Sequence, residues 1–128
     1  MSEPMNPVML ETRLVRFAVR VLRLSSQLGP TPAGRHVAGQ ILRSGTAAAP
    51  HYAEAQSAES RMDFIHKLRL AVKELNETSV WLRIIAEAEM LKPTLMDGIV
   101  TECEELRRIL GAAIHTARER TVARPVRT

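Results

Sequence analysis

Leu10, Leu14, Phe17, Val21, Leu24 and Leu28 follow one another at intervals of 4, 3, 4, 3 and 4. A helix completes a turn every 3.6 residues, so this spacing puts all six side chains on one side and demands an apolar partner for that stripe. The same period returns downstream. Ala38, Ile41, Gly45, Ala48, Tyr52 and Ala55 share a face in a second segment, from about Arg35 to Ser57. Phe64, Leu68, Ala71, Leu75, Thr78, Leu82 and Ile85 do so in a third, and Ile99, Cys103, Leu106, Leu110, Ala113 and Ala117 in a fourth. Convincing alternation of period two is absent, so strands are not expected.

Breaks separate these segments. Residues 1–7, MSEPMNP, are expected to be a flexible N-terminus, and GPTPAG (Gly29 to Gly34) cannot continue the first helix. Ser60 with Asp63 three residues on has the form of a helix start, a capping hydroxyl followed by a carboxylate in the first turn. Lys92-Pro93-Thr94 interrupts the third helix, and TVARPVRT, residues 121–128, is expected to be a disordered basic tail. An all-α, antiparallel up-and-down four-helix bundle over residues 8–120 follows. At 128 residues it is one domain, able to bury roughly two thirds of its unfolded surface.

The stretch RSGTAAAPHYAEA, Arg43 to Ala55, fits a helix least well. Pro50 removes a hydrogen bond to the Thr46 carbonyl and should push Ala49 from helical angles, so the second helix is expected to kink or split near residues 46–50. Small residues around Gly45 let a neighbouring backbone come close, and Gly45, Pro50, His51 and Glu54 mark this seam. His51 and Glu54 lie one turn apart, but di-metal bundles need Glu-x-x-His pairs, and this chain has a single reversed pair. A hydrogen-bonded contact to a neighbouring helix or subunit is the expected role. Phosphate-binding glycine loops, paired CxxC motifs and serine elbows are missing, so no enzyme and no cofactor are expected.

The lone cysteine, Cys103, cannot close an internal disulfide, and no N-terminal segment joins a basic start to an apolar core of about 7 to 15 residues. A cytoplasmic, soluble protein without a membrane span is expected. Net charge is +4, and 15 of the 18 basic residues are arginine. That bias suits phosphate partners, or reflects a GC-rich genome. Aromatic side chains are scarce, which argues against a stacking platform for single strands.

Arg13, Arg16, Arg20 and Arg23 form a row on the first helix at intervals of 3, 4 and 3. Three roles stay open: a phosphate rail for RNA or DNA, an interface rail pairing with acids such as Glu74, Glu77, Glu87 or Glu89, or a solvated face. Arg107, Arg108 and Arg118 belong to a second basic cluster, continued by Arg120, Arg124 and Arg127. Trp81, Ile84, Ala88 and Leu91 make a second apolar edge on the third helix, suited to an oligomer surface or to extra core depth.

Gly34 to Leu82 also resembles a known family, through Arg43, Ser44, Gly45, Glu54, Ser60, Asp63, Phe64, Lys67, Leu68, Glu74 and Leu82. The likeness is to the four-helix-bundle proteins encoded in intervening sequences of bacterial large-subunit ribosomal RNA genes, and extends more loosely from Phe17 to Ala117. It implies a cytosolic up-down bundle that assembles as a homopentamer and has no demonstrated enzyme activity. The related accessory proteins of diversity-generating retroelements share this architecture and bind nucleic acid and a reverse transcriptase. Residues and resemblance together lead us to expect a non-enzymatic oligomer whose partners are copies of itself and RNA, DNA or a nucleic-acid-handling protein. The alternatives are a purely structural protein-interaction module and, third, a metal-dependent bundle enzyme.

Overall fold

The structure, a computed structural model, describes residues 5–123. Helix α1 runs Pro7–Ser25, α2 Pro32–Gly45, α3 Ala48–Gln56, α4 Arg61–Glu87 and α5 Pro93–Ala123, with no strand among the described residues. Helices α2 and α3 are two halves of one arm, so the architecture is the expected four-helix bundle. Contacts between residues far apart in sequence fix the directions. Arg13 meets Glu102 while Arg20 lies beside Gly98, so α1 and α5 are antiparallel. His36 meets Trp81 and Arg43 meets Glu74, so α2 runs against α4. Each arm touches its neighbours in sequence, and α1 also packs on α5 to close the ring.

Local chemistry sets the helix ends. Asn6 Oδ1 accepts the Met9 N–H at 2.9 Å ahead of Pro7, and Met5 packs on the core. Residues 1–4 of the expected flexible N-terminus lie outside the described residues. Thr31 Oγ1 accepts the Gly34 N–H at 3.0 Å, and α2 begins at Pro32 rather than near Arg35. Proline at the first helical position loses no bond and has its φ already set. Ser60 Oγ accepts the Asp63 N–H at 3.0 Å, as the sequence predicts. Helix α4 stops at Glu87, short of the Lys92-Pro93 break, because Glu89 takes a left-handed φ of 55°. There the Met90 N–H reaches the Ile85 carbonyl and the Glu89 N–H that of Ala86, which is a Schellman stop. Ala88 is thus a cap and Leu91 a linker residue. At the far end, residues 121–123 of the expected tail continue α5, and residues 124–128 lie outside the described residues.

The seam splits earlier than Pro50. Helical geometry breaks at Thr46 and Ala47, and Pro50 then falls within the first turn of α3, where amides have no helical acceptor. Proline therefore costs no hydrogen bond there. Ala49, expected to leave helical angles, is nevertheless helical. Gly45 faces α1 so closely that an added Cβ would lie 2.5 Å from Val21 Cγ1. Beneath it Ser44 and Thr78, both fully buried, share a hydrogen bond at 2.9 Å, and Thr78 Oγ1 donates to the Glu74 carbonyl at 2.8 Å.

The core holds the whole first stripe, from Leu10 to Leu28, with Ile41, Tyr52, Leu68, Leu75, Leu82, Ile85, Leu106 and Leu110. Burial pushes the Cys103 thiol up to about 12, so it stays protonated at neutral pH.

Two substitutions test this account. Gly45→Ala should lower unfolding free energy by about 1 to 3 kcal/mol in chemical denaturation, because Val21 must give way. Glu89→Gly should raise it by about 1 kcal/mol by relieving the left-handed backbone. Loss of stability in the second variant would contradict the Schellman assignment.

Candidate functional site

The arginine row of α1 is divided by what lies opposite it on α5. Arg13 donates from Nε to Glu102 Oε2 at 2.8 Å and from Nη2 to Glu102 Oε1 at 2.7 Å, and Nη2 lies 2.9 Å from Glu105 Oε1. This forked pairing raises the guanidinium pKa, chiefly through the Glu102 hydrogen bonds, and ties α1 to α5. Antiparallel packing then sets α5 residues of falling number against the rest of the row. An added Cβ on Gly98 would lie 2.8 Å from Arg20 Nη2, so the absence of a side chain there makes room for that guanidinium. Arg20 and Arg23 rim a cleft of about 150 Å³ with Leu24, Gln27, Leu91, Leu95 and Ile99. Arg16, Arg20 and Arg23 are exposed and have no acid partner among the described residues.

The acids proposed for this row are engaged elsewhere or apart from it. Arg43, on α2, bridges Glu74 at 3.3 Å and also binds Glu77. Trp81 Nε1 donates to Glu77 Oε2 at 3.2 Å, and the His36 ring meets the indole edge-on with centroids 5.9 Å apart. Trp81 is half-buried in this cluster, Leu91 half-buried in the arginine cleft, and Ile84 and Ala88 are exposed. The four therefore do not form one continuous patch of equal exposure. Glu87 and Glu89 are exposed near the end of α4.

The second basic cluster is likewise split. Arg107 donates to Glu104 at 2.7 and 2.9 Å, to Asn76 Oδ1 at 2.7 Å and to Ser79 Oγ at 3.2 Å, which locks α5 to α4. Ser79 Oγ also donates to Glu104 Oε1 at 2.8 Å; this bond and then Arg107 hold the Glu104 carboxyl below its ordinary range. Arg108 and Arg118 are exposed, without acid partners among the described residues, and Arg124 and Arg127 lie outside them.

At the seam, Glu54 accepts from Lys67 Nζ at 3.0 Å, and this hydrogen bond, more than any other cause, lowers the Glu54 carboxyl. His51 Nδ1 is buried without a hydrogen-bond partner among the described residues. No group of three or more metal-ligating side chains comes together among the described residues.

One feature is not anticipated by the sequence reading. Val8, Val15, Val19 and Leu22 stand 36% to 76% exposed on α1, opposite the core stripe and beside the arginines. Their spacing of 7, 4 and 3 is visible in sequence, but the stronger core stripe of the same helix masks it.

The 23S rRNA-intervening sequence protein family matches this chain over residues 12–112. A solved structure from Bacteroides thetaiotaomicron VPI-5482, of a protein with unknown function from the S23 ribosomal protein family, has 33% sequence identity and a TM-score of 0.80. That likeness covers 87% of this chain and 99% of the other. Nothing among curated proteins matches.

Acid titration tests the Arg107 lock. The lowered Glu104 carboxyl contributes stability above its unfolded pKa of about 4.3, and loses it as pH falls through the folded value. Glu104→Gln should therefore be less stable than the native chain at pH 7, by under about 1 kcal/mol, with the gap closing below about pH 4. A gap that does not change with pH would show that the charge of Glu104 is irrelevant. The chain belongs to the 23S rRNA-intervening sequence protein family.

Proposed function

We propose that this protein is a non-enzymatic, cytoplasmic scaffold that assembles from copies of itself and associates with RNA through Arg16, Arg20 and Arg23. The observation that carries this reading is the division of the arginines. Arg13, Arg43 and Arg107 are satisfied by acids of the same chain, while three successive members of the α1 row project unpaired. Unpaired guanidinium groups at helical spacing repel one another, and phosphates along a strand relieve that repulsion while releasing counterions. Arg108 and Arg118 extend the basic surface onto α5. Self-assembly is supported by the exposed apolar row Val8, Val15, Val19 and Leu22, with Val80 and Ile84 on α4. Five copies are what the family resemblance implies. DNA would meet the same phosphate chemistry, and a nucleic-acid-handling protein is a further partner of this class. No helix among the described residues is long and apolar enough to cross a membrane.

A purely structural protein-interaction module is the second reading, favoured by that same exposed apolar row on α1. The two separate on salt dependence. Binding of a single-stranded RNA should weaken linearly in log[salt], and Arg16→Ala/Arg20→Ala/Arg23→Ala should flatten the slope by about 2, from about 0.7 per phosphate contact. Light scattering coupled to size exclusion, with absorbance at 260 and 280 nm, should give an oligomer that carries nucleic acid at low salt. A clean oligomer that ignores RNA, or a slope untouched by the triple substitution, would move the function to the second reading.

A further inference from the structure

A separate cleft lies at the other end of the bundle, between the start of α4 and the last turns of α5. It measures about 540 Å³ and is lined by Ser60, Arg61, Phe64, Ala113, Thr116, Ala117 and Arg120. From Ile99, in the arginine cleft of α1, to Arg120 is 21 residues of helix, about 30 Å. The two clefts are too far apart to be one site.

The lining has two parts. Phe64, Ala113 and Ala117 make an apolar floor, with Phe64 half-buried. Arg61, Thr116 and Arg120 supply the polar rim, and Ala113, Thr116, Ala117 and Arg120 share a face of α5 because their spacing is 3, 1 and 3. Neither arginine has an acid partner among the described residues. Two of the nearby acids leave their helices in other directions. At about 100° per residue, Asp63 leaves α4 about 160° around from Arg61, and Glu119 leaves α5 about 100° from Arg120. Ser60 Oγ already accepts the Asp63 N–H, so the helix start is capped from within the chain. What the cleft offers a ligand is two guanidinium groups, a hydroxyl and one aromatic side chain.

That combination selects an anion carrying a flat apolar body. A lone phosphate would leave the floor wet, and a neutral ring would leave both cations unpaired. A volume of several hundred Å³ fits a molecule of nucleotide size. We propose that this cleft binds one nucleotide, its phosphate held by Arg61 and Arg120, its base against Phe64 and its ribose within reach of Thr116. One aromatic side chain serves one base, which agrees with the scarcity of aromatics elsewhere in the chain. Such a nucleotide has two sources, a free mononucleotide or the phosphorylated end of an RNA strand. The site stands independently of the α1 arginines.

Calorimetric titration of the full chain with adenosine 5′-monophosphate, adenosine, ribose 5-phosphate and inorganic phosphate tests this. The monophosphate should bind more tightly than any of its fragments. Arg61→Ala/Arg120→Ala should weaken it by about tenfold or more with helix content and melting unchanged. Phe64→Leu should weaken the monophosphate but not ribose 5-phosphate. A 5′-phosphorylated RNA tetranucleotide identifies the source: much tighter binding than the monophosphate, sensitive to the double arginine substitution, means an RNA end, and equal binding means a free nucleotide. Arg16→Ala/Arg20→Ala/Arg23→Ala should leave monophosphate binding intact, which separates this site from the RNA surface of α1. No binding of the monophosphate, or binding indifferent to the double arginine substitution, overturns the assignment.

Discussion

The close approach of α2 to α1 at Gly45 is the constraint on which the other contacts depend. With no side chain at this position, Val21 fits against the backbone of α2, and the second arm can lie in the groove between α1 and α4. Ser44, the residue before it, is thereby fully buried, where its hydroxyl would be costly if left unpaired. Thr78 supplies the partner, and in doing so sets the level at which α4 passes α2. Arg43 then reaches Glu74 and Glu77 on the same level of α4. The helical break at Thr46 and Ala47 belongs to the same arrangement, since it lets α3 restart with Pro50 in its first turn while Ala48, Tyr52 and Ala55 still face the core.

Charge follows from this packing. Fifteen arginines face fourteen acids, so composition alone would allow nearly all of them to pair. Antiparallel geometry prevents it. The acids of α5 that meet α1, Glu102 and Glu105, sit at the level of Arg13, whereas Gly98 and Leu95 lie toward Arg20 and Arg23. Glu104 faces the other way and holds Arg107 against α4. The result is that Arg16, Arg20 and Arg23 stand where the acids of α5 do not reach them. A similar separation leaves Arg61 and Arg120 at the opposite end, over an apolar floor.

Much of the fold was legible in sequence because apolar period and capping chemistry are local. The Leu10 to Leu28 stripe is buried throughout, and Ser60 caps α4. Boundaries were less legible where two rules compete. Pro32 and Pro93 read as breaks, yet each opens a helix, because proline is excluded from helix interiors but favoured at the first position. Glu89 in the left-handed region ended α4 early, and a residue with a Cβ gives no warning of that conformation. The candidate sites were less legible still. The row Arg13, Arg16, Arg20 and Arg23 was visible as one feature, but nothing in its spacing distinguishes Arg13 from the other three. The cleft at Phe64 joins the start of α4 to the last turns of α5, far apart in sequence, and no local pattern relates them.

The sequence by itself determined that this chain is helical, how many arms it has, most of the face each turns inward, though Ile65 and Val37 are buried where Phe64 and Ala38 were expected, and that α1 carries a line of positive charge. Those properties follow from periodicity and from the backbone chemistry of helix ends, which act within a few residues. Tertiary structure alone decided which charges meet. The relative height of antiparallel helices depends on interlocking contacts such as Gly45 on Val21 and Ser44 on Thr78, and an ion pair needs its groups within about 4 Å. A shift of one turn, about 5.4 Å, would pair different arginines and expose others without altering any local pattern.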